Sequence, residues 1–384
     1  MADELRVAIF TDSFRPAVDG VTVYIENTAR ELSRRGIEVT VVTSTGRKYE
    51  EINTDGYRTI GVKGIKFPPY PQYRIATMFF KANKKLLNEG YNIIHTQTPF
   101  TVGFAGFLMS RHIESRLIST FHSMVFDETV ISSYSRSNTI LSKLLSRTIK
   151  RYLKWYYEKH EFVISPSEYI AEKLRSIGVD RIKVINNGIN LTHFLTSINK
   201  EEARRRLGIP EDSEIVLYLG RIGREKDLES MIDSFTYLKR RGVRMIIAGG
   251  GPHLDFYKQY ALSRGINGIE FPGFVSEEQK ILYYRSADLF CNPSDYEVQS
   301  TVDVEAMASG TPILVPDNSS QVELVKPGIS GEIFSLGNPR SLAERAIEML
   351  DNIDRYTPKK IASNFSVEHH VDRLIEAYRS GAGA

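Results

Sequence analysis

Short apolar runs alternate along the chain with longer stretches in which apolar positions recur every three to four residues. Residues 6–11 (RVAIFT) form a first strand-like run and lead into a turn rich in Asp, Pro and Gly at 12–20. Helical spacing over 21–35 follows, with Gly36 as its C-terminal stop, and 38–43 (EVTVVT) is the next predicted strand. Strand, helix and strand in so short a stretch make a βαβ unit, hence a parallel sheet covered on both faces. Further strands are predicted at 91–95, 116–121, 162–165 and 183–185. The alternation pauses at 186–200, an Asn-, Gly-, Thr- and Ser-rich stretch that suits a hinge. It restarts with 215–219, a helix over 228–240 and a strand at 245–248. Strands at 268–271, 289–292, 312–315 and 331–334 complete this second series, and 366–379 is a last amphipathic helix before an SGAGA tail. The pattern predicts an α/β chain of two doubly wound, Rossmann-like domains facing across a cleft. Their bounds are expected at 1–190 and 191–363, with the helix in 364–384 packing back on the first domain.

Length agrees, since 384 residues exceed what one hydrophobic core supports. Apolar residues at 41% and charged residues at 25% exclude a disordered, collagen-like or coiled-coil protein. The single cysteine, Cys291, excludes a disulfide framework and a Cys-based zinc site and fits a reducing compartment. No apolar run approaches the roughly 20 residues that cross a bilayer, and the N-terminus has no leader-like pattern, so the expected location is cytoplasmic. Charge changes the picture more. Residues 1–190 carry 27 Lys and Arg against 19 Asp and Glu, a net +8, while the rest stands at −5. The first half is expected to face something anionic. Arg136, Lys143, Arg147, Lys150, Arg151, Lys154 and Lys159 fall close together beside one acid, Glu158. Ile140, Leu141, Leu144, Leu145, Ile149, Leu153, Trp155 and Tyr156 are interleaved among them at near-helical spacing. Such a helix either lies on an anionic bilayer or turns its apolar stripe into the core.

Ligands of open parallel sheets bind beyond the carboxyl ends of the strands, so the loops there carry the chemistry. Gly20 opens a helix whose N-terminus could meet an anion, although a tight turn also needs glycine. In GRIGREKD at 220–227, Arg221 offers a fork and Lys226 a mobile charge to phosphate oxygens; the alternative is a charged surface turn. Gly249-Gly250-Gly251-Pro252 lets the backbone approach a ligand, or merely turns. The absence of a G-x-G-x-x-G or P-loop pattern argues against a nicotinamide oxidoreductase and a P-loop NTPase. No paired metal-ligand spacing occurs, and Glu368-His369-His370 reads as a surface pair. The deciding constellation follows the strand at 289–292. Glu297 lies in a loop and Glu305 on the helix behind it, so two carboxylates can accept bonds from vicinal hydroxyls, as a sugar or ribose presents. Ser300 and Thr301 near the helix start leave N–H groups for a phosphate.

This arrangement resembles the E-x7-E motif of the retaining glycosyltransferases of family 4, which have the GT-B fold, and in particular their glycolipid-forming glucosyl, mannosyl and sulfoquinovosyl members. Further matching segments occur in order along nearly the whole chain: Phe14-x-Pro16 with Gly20, Phe121-His122, Ser165-Pro166-Ser167, Asn187-Gly188-Ile189-Asn190, Gly220-Arg221 with Glu225-Lys226, Gly273-Phe274-Val275, and Pro327-Gly328 with Gly331. The resemblance implies transfer of a hexose from a UDP- or GDP-sugar, with retention and without a metal or other cofactor. It implies that Arg221 and Lys226, helped by Gly20, Ser300 and Thr301, bind the diphosphate leaving group, and that Glu305 holds the ribose. Glu297 with Val298 and Gln299 would hold the hexose, His122 would favour the developing oxocarbenium ion, and Gly249, Gly251, Phe274 and Val275 would border the base. Two positions depart from the family: Ser300 stands where a glycine is common, and Gln97, after His95, stands where a second histidine often occurs. His95 and Gln97 point to the acceptor or form an ordinary strand-end turn.

The basic first half then becomes the acceptor domain. Its membrane or acceptor face is expected on the helix carrying Lys143, Arg147, Lys150, Arg151, Lys154 and Trp155. A second basic surface is expected from Lys63, Lys66, Arg74, Lys81, Lys84 and Lys85 around Phe67-Pro68-Pro69-Tyr70, Phe79 and Phe80. The expected acceptor is a lipid or lipid-linked glycan, reached by peripheral contact at the inner face of the membrane. Rival readings are a transferase to a soluble sugar or polysaccharide and a sugar-nucleotide epimerase of the same fold. A nucleic-acid-binding module would use the basic face but leave the paired glutamates unexplained, so no nucleic-acid partner is expected.

Overall fold

The computed structural model describes all residues except 1–3, 16–18, 46–49, 68–69, 78–83, 85, 125–138, 239–240 and 381–384. It divides into two units, residues 1–188 with 367–384 and residues 189–366. Pro16, Pro68, Pro69, Phe79, Phe80, Lys81, Lys85, Arg136 and most of the SGAGA tail lie outside the described residues.

The first unit runs β1 (Arg6–Thr11), α1 (Gly20–Arg34), β2 (Glu38–Thr45), β3 (Glu50–Thr54), β4 (Tyr57–Phe67), β5 (Tyr70–Ala76), β6 (Ile93–Thr96), α2 (Thr101–Ser110), β7 (Arg116–Thr120), α3 (Thr139–Tyr157), β8 (Phe162–Ser165), α4 (Glu168–Ser176) and β9 (Ile182–Val184). Its sheet has the order β3-β4-β2-β1-β6-β7-β8-β9, with β5 on β4. Only β3 and β5 pair antiparallel, both with β4. The central strands are buried on both faces, which is why they read as unbroken apolar runs. Nothing in that pattern predicted β3–β5. They are joined at one end by Asp55-Gly56, both with positive φ (53° and 86°), the backbone a tight two-residue hairpin turn requires.

Strand order turns back at β1 and β6, so the loops after these strands meet at a switch point. Asp12 binds them together there. Its carboxylate accepts from the Thr98 and Thr101 hydroxyls at 2.6 and 2.5 Å and from the Val102 N–H at 2.9 Å, capping α2 from another loop. On the helical layer, α1 turns Ile25, Ala29 and Leu32 into a core shared with Val371, Leu374 and Tyr378 of the last helix, Val367–Ser380. His370 of that helix is not a surface residue. It is buried, and its Nδ1 bonds the Asn186 carbonyl at 2.7 Å, because the apolar stripe of the helix carries it inward; only His369 of the pair is exposed.

Helix α3 satisfies neither simple reading of its sequence. Leu153, Tyr156 and Tyr157 enter the core, while Leu144 (58% exposed), Leu145 (46%) and Trp155 (41%) stay on the surface. Lys143, Arg147, Arg151 and Lys154 are exposed around them, and Lys150 is half-buried.

The second unit runs α5 (Lys200–Leu207), β10 (Ile215–Leu219), α6 (Leu228–Leu238), β11 (Arg244–Ala248), α7 (Leu254–Ser263), β12 (Ile269–Gly273), α8 (Glu277–Ser286), β13 (Leu289–Cys291), α9 (Thr301–Ser309), β14 (Ile313–Pro316), β15 (Gly331–Phe334) and α10 (Pro339–Asp351). The helix Val367–Ser380, α11, then returns to the first unit. All strand pairs of the second unit are parallel, in the order β12-β11-β10-β13-β14-β15. This is the doubly wound order in which the strand order reverses between the first and fourth strands.

Candidate functional site

The reversal in the second unit lies between β10 and β13, and the loops after these strands carry the candidate residues. The two loops are locked to each other. Lys226 Nζ ion-pairs with Glu297 Oε1, both side chains being largely buried. Ser294 Oγ donates to the Glu225 carbonyl at 3.2 Å. After Lys226 the chain turns through Asp227, a non-glycine residue with φ 44°, so the loop ends in a left-handed residue at the start of α6. The Glu297 loop is also held from behind. Ser320 Oγ donates to the Glu297 carbonyl at 2.6 Å, and Gln321 Nε2 donates to the Ser294 carbonyl. Nothing in the sequence pattern singled out Ser320 or Gln321.

Arg221, expected to share a phosphate clamp with Lys226, takes a different partner. Its Nη1 pairs with Glu225 at 2.8 Å on a half-exposed side chain, while its carbonyl accepts from the Tyr218 hydroxyl at 2.8 Å. The loop thus carries one inward and one peripheral cation. Gly249 and Gly251 have a packing reason. A Cβ on Gly249 would stand 1.8 Å from the Gly220 carbonyl oxygen, and one on Gly251 2.1 Å from that of Ile222. The loops after β10 and β11 therefore lie backbone against backbone, with Ile222 N–H donating to the Gly250 carbonyl at 2.9 Å. Phe274 projects beside them, 83% exposed, whereas Val275 is buried in the core and offers no surface to a ligand.

At the start of α9, Ser300 is fully buried and its hydroxyl is committed: it caps the Asp303 N–H at 3.3 Å and accepts from Asn292 Nδ2 at 3.0 Å. A phosphate contact from Ser300 would use its main chain, not its side chain. Its φ of −76° is ordinary, so the position does not demand glycine. Thr301, the first helical residue, is half-buried. One turn on lies a group that sequence reasoning missed. Asp303 is fully buried, and neither carboxylate oxygen has a hydrogen-bond partner of good geometry, although the Ser300 and Asn292 side chains and the Lys226 charge lie near enough to oppose the effect of burial. Burial pushes its carboxyl well above the usual range, and the charge of Glu297 pushes it further. Glu305 accepts from the Tyr284 hydroxyl at 2.9 Å and pairs with Lys280 at 3.1 Å, both on α8. Burial raises its pKa and the Lys280 charge opposes that.

In the first unit, His122 follows β7. Its Nε2 lies 2.7 Å from Gln97 Oε1, and its ring stands edge-on to Tyr24 with centroids 4.8 Å apart. Burial lowers its pKa to about 3, so the ring is neutral at physiological pH. Gly20 does not offer the bare helix end expected of it. Asp19 caps α1, accepting from the Thr22 N–H at 2.8 Å, so a carboxylate already occupies the N-terminus that a phosphate would need. Among the described residues no helix is long and apolar enough to cross a membrane.

Comparison with known proteins agrees with this geometry. The family described as Glycosyltransferase Family 4 matches residues 18–193, and that described as Glycosyl transferases group 1 matches residues 199–378. The chain is 28% identical to alpha-monoglucosyldiacylglycerol synthase of Streptococcus pneumoniae, covering 97% of this chain and 85% of the relative. It is 26% identical to a GDP-mannose-dependent alpha-mannosyltransferase of Mycobacterium tuberculosis, covering 87% and 84%. The solved structure of sucrose-phosphate synthase from Thermosynechococcus elongatus superposes with a TM-score of 0.75 at 21% identity, over 98% of each chain. Two Rossmann-like units in this order, each matched by its own family, make the chain a hexosyltransferase that belongs to the family 4 glycosyltransferases of the GT-B fold.

Proposed function

We propose that this enzyme moves a hexose from a UDP- or GDP-sugar to a lipid or lipid-linked acceptor at an anionic membrane surface, with retention of the anomeric configuration. The observation that carries the donor half is the Lys226–Glu297 pair at the switch point of the second unit. It sets a cation and a sugar-binding carboxylate side by side where ligands of this sheet topology bind. In this reading the bond from the anomeric carbon to the β-phosphate oxygen breaks, and the acceptor oxygen bonds the same face of that carbon. The acceptor's proton passes to the leaving phosphate. Lys226, Arg221 and the main-chain N–H groups from Val298 to Thr301 take up the charge that develops on the diphosphate. Glu297 orients the hexose, Glu305 meets the ribose, and His122 contacts the sugar. The chemistry draws on no metal or further cofactor.

Support for the lipid acceptor comes from the diacylglycerol relative and from α3, where Leu144, Leu145 and Trp155 are exposed among Lys143, Arg147, Arg151 and Lys154. Each cation near an anionic interface contributes about 1 kcal/mol and each inserted leucine about 2 kcal/mol. The reading places the enzyme at the inner face of the cell membrane. UDP- and GDP-hexoses supplied with vesicles of diacylglycerol and anionic phospholipid should give a glycolipid whose anomer matches the donor. Transfer to a soluble sugar alone, or interconversion of the nucleotide sugars without transfer, would sink the proposal. Replacing Leu144 and Leu145 together by glutamate should weaken vesicle binding at least 10-fold without changing the melting temperature, and vesicle binding that ignores both salt and this change would remove α3 from the interface.

Phe274 gives a smaller effect. An aromatic face stacked on a base is worth about 1–3 kcal/mol, so Phe274→Ala should raise the donor KM roughly 10-fold and leave kcat alone. An unchanged KM would mean that the base lies elsewhere.

A further inference from the structure

Strand β6 ends in His95 and Thr96, and Gln97 follows it; all three side chains are buried. His95 is satisfied on both ring nitrogens, by the hydroxyls of Tyr378 and Thr120 at 2.7 Å each. Thr96 meets Ser119 and His160. Gln97 instead turns toward the loop after β7, where its Oε1 lies 2.7 Å from His122 Nε2. With Oε1 on that side the amide can only accept, an arrangement that calls for the proton on Nε2 and the lone pair on Nδ1; the opposite amide orientation would reverse both. The pair is well fixed. The Gln97 N–H donates to the Phe10 carbonyl at 2.8 Å, anchoring the residue to β1 at the switch point. Tyr24 stands edge-on to His122 on one side and to His370, at 5.2 Å between centroids, on the other.

We propose that Gln97 is a positioning residue that locks His122 in the Nε2–H tautomer, so that His122 meets the hexose as a neutral hydrogen-bond acceptor at Nδ1 and selects a sugar hydroxyl able to donate to it. The proposal deepens the reading that His122 contacts the transferred sugar and rests on that reading. An imidazolium would present only donors and would stand against the positive charge that grows on the sugar ring. A neutral ring that keeps its lone pair on Nδ1 does neither. Burial is the largest influence on His122 and keeps the ring neutral. His370 from α11 acts in the same direction, and the Asp19 carboxylate from the loop before α1 opposes it. Tyr24 from α1 packs edge-on, and His95 from β6 lies nearby.

The tautomer is directly observable in the full chain by nitrogen-15 NMR of the histidine rings, with the His122 signals identified by their loss in His122→Ala. Wild type should show a protonated Nε2 and a bare Nδ1. Gln97→Leu should mix the two tautomers and lower kcat roughly 10- to 100-fold, with the donor KM changed less than about threefold. Gln97→Glu should restore the tautomer and much of kcat, while a carboxylate beside Nε2 raises the ring's pKa and moves the acidic limb of the kcat profile to higher pH. A protonated Nδ1 in wild type, meaning that Gln97 donates through its amide nitrogen, would overturn the proposal, as would a tautomer unmoved by Gln97→Leu. If the NMR follows expectation but His122→Ala transfers sugar at the wild-type rate, the positioning is real and the hexose contact is what fails.

Discussion

Lys226→Ala should lower kcat/KM for the sugar donor by roughly 1,000-fold, close to 4 kcal/mol of transition-state stabilisation. The magnitude follows from where the cation sits. Lys226 is largely buried, its charge is aimed by Glu297, and the loop that carries it is pinned to the Glu297 loop through Ser294 and Glu225. A preorganised cation in such a place meets the negative charge of a departing diphosphate without reorganising. Arg221 should matter less. Half-exposed and paired with Glu225, it works in high dielectric, and Arg221→Ala should cost about 10-fold. Lys226→Arg should fall between, because a planar fork cannot keep the single-point contact with Glu297 and also reach the phosphate. Steady-state release of nucleoside diphosphate across the three variants measures the order. A Lys226→Ala enzyme within 10-fold of wild type, with an unchanged melting temperature, would show that Lys226 merely staples two loops.

Much of this arrangement was legible in the sequence for one physical reason. Parallel strands buried on both faces read as continuous apolar runs, so β1, β2, β6–β8, β10, β11 and β13–β15 stand out, and the loops after them are where ligands go. The E-x7-E spacing then pointed to Glu297 and Glu305. Strands β3–β5 escaped because they pair at one edge of the sheet and mix Glu50, Glu51, Asn53, Lys63, Lys66 and Arg74 with apolar residues, which hides any apolar run. Asp55-Gly56 was their one local cue.

What one dimension could not carry is who faces whom. Lys280 is 25 residues from Glu305 in sequence and pairs with it, Ser320 is 23 from Glu297 and holds its carbonyl, and Gln97 is 25 from His122. Each pairing exists only because neighbouring parallel strands or helices bring their ends together. The glycines after β11 read either as ligand glycines or as a plain turn, and loop packing gives them a structural reason of their own, while His370 looked like surface until α11 was seen to bury that face. Local composition names the chemistry; sheet order decides which groups share it.

Asp303→Asn should make the protein more stable at neutral pH, read as a higher melting temperature of the second unit. Two effects compete at this residue. A carboxylate in the first turn of α9 is favoured by the helix dipole, worth about 0.3–1 kcal/mol. Full burial and the Glu297 charge outweigh that and the opposing Ser300, Asn292 and Lys226 contributions, so the acid's pKa stands well above the ordinary 3.8 and the native state holds its proton. The sign follows directly. Unfolded, Asp303 releases its proton near 3.8, whereas the native protein keeps it, so between the two pKa values the folded state binds the extra proton and stability falls as pH rises. Each unit of that window costs about 1.4 kcal/mol, and the loss levels off once the native acid also ionises. Asparagine has the same shape and no proton to lose. Its advantage should therefore be near zero below about pH 4 and should grow as the pH rises above that, a trend that thermal unfolding of the two proteins across the acid-to-neutral range reads out. A difference that stays constant with pH would mean that Asp303 is ionised in the folded state and that an unseen partner holds it. In the proposed reading, a neutral Asp303 leaves the positive end of α9 to the diphosphate, so the stability given up at this residue would keep that helix terminus open to an anion.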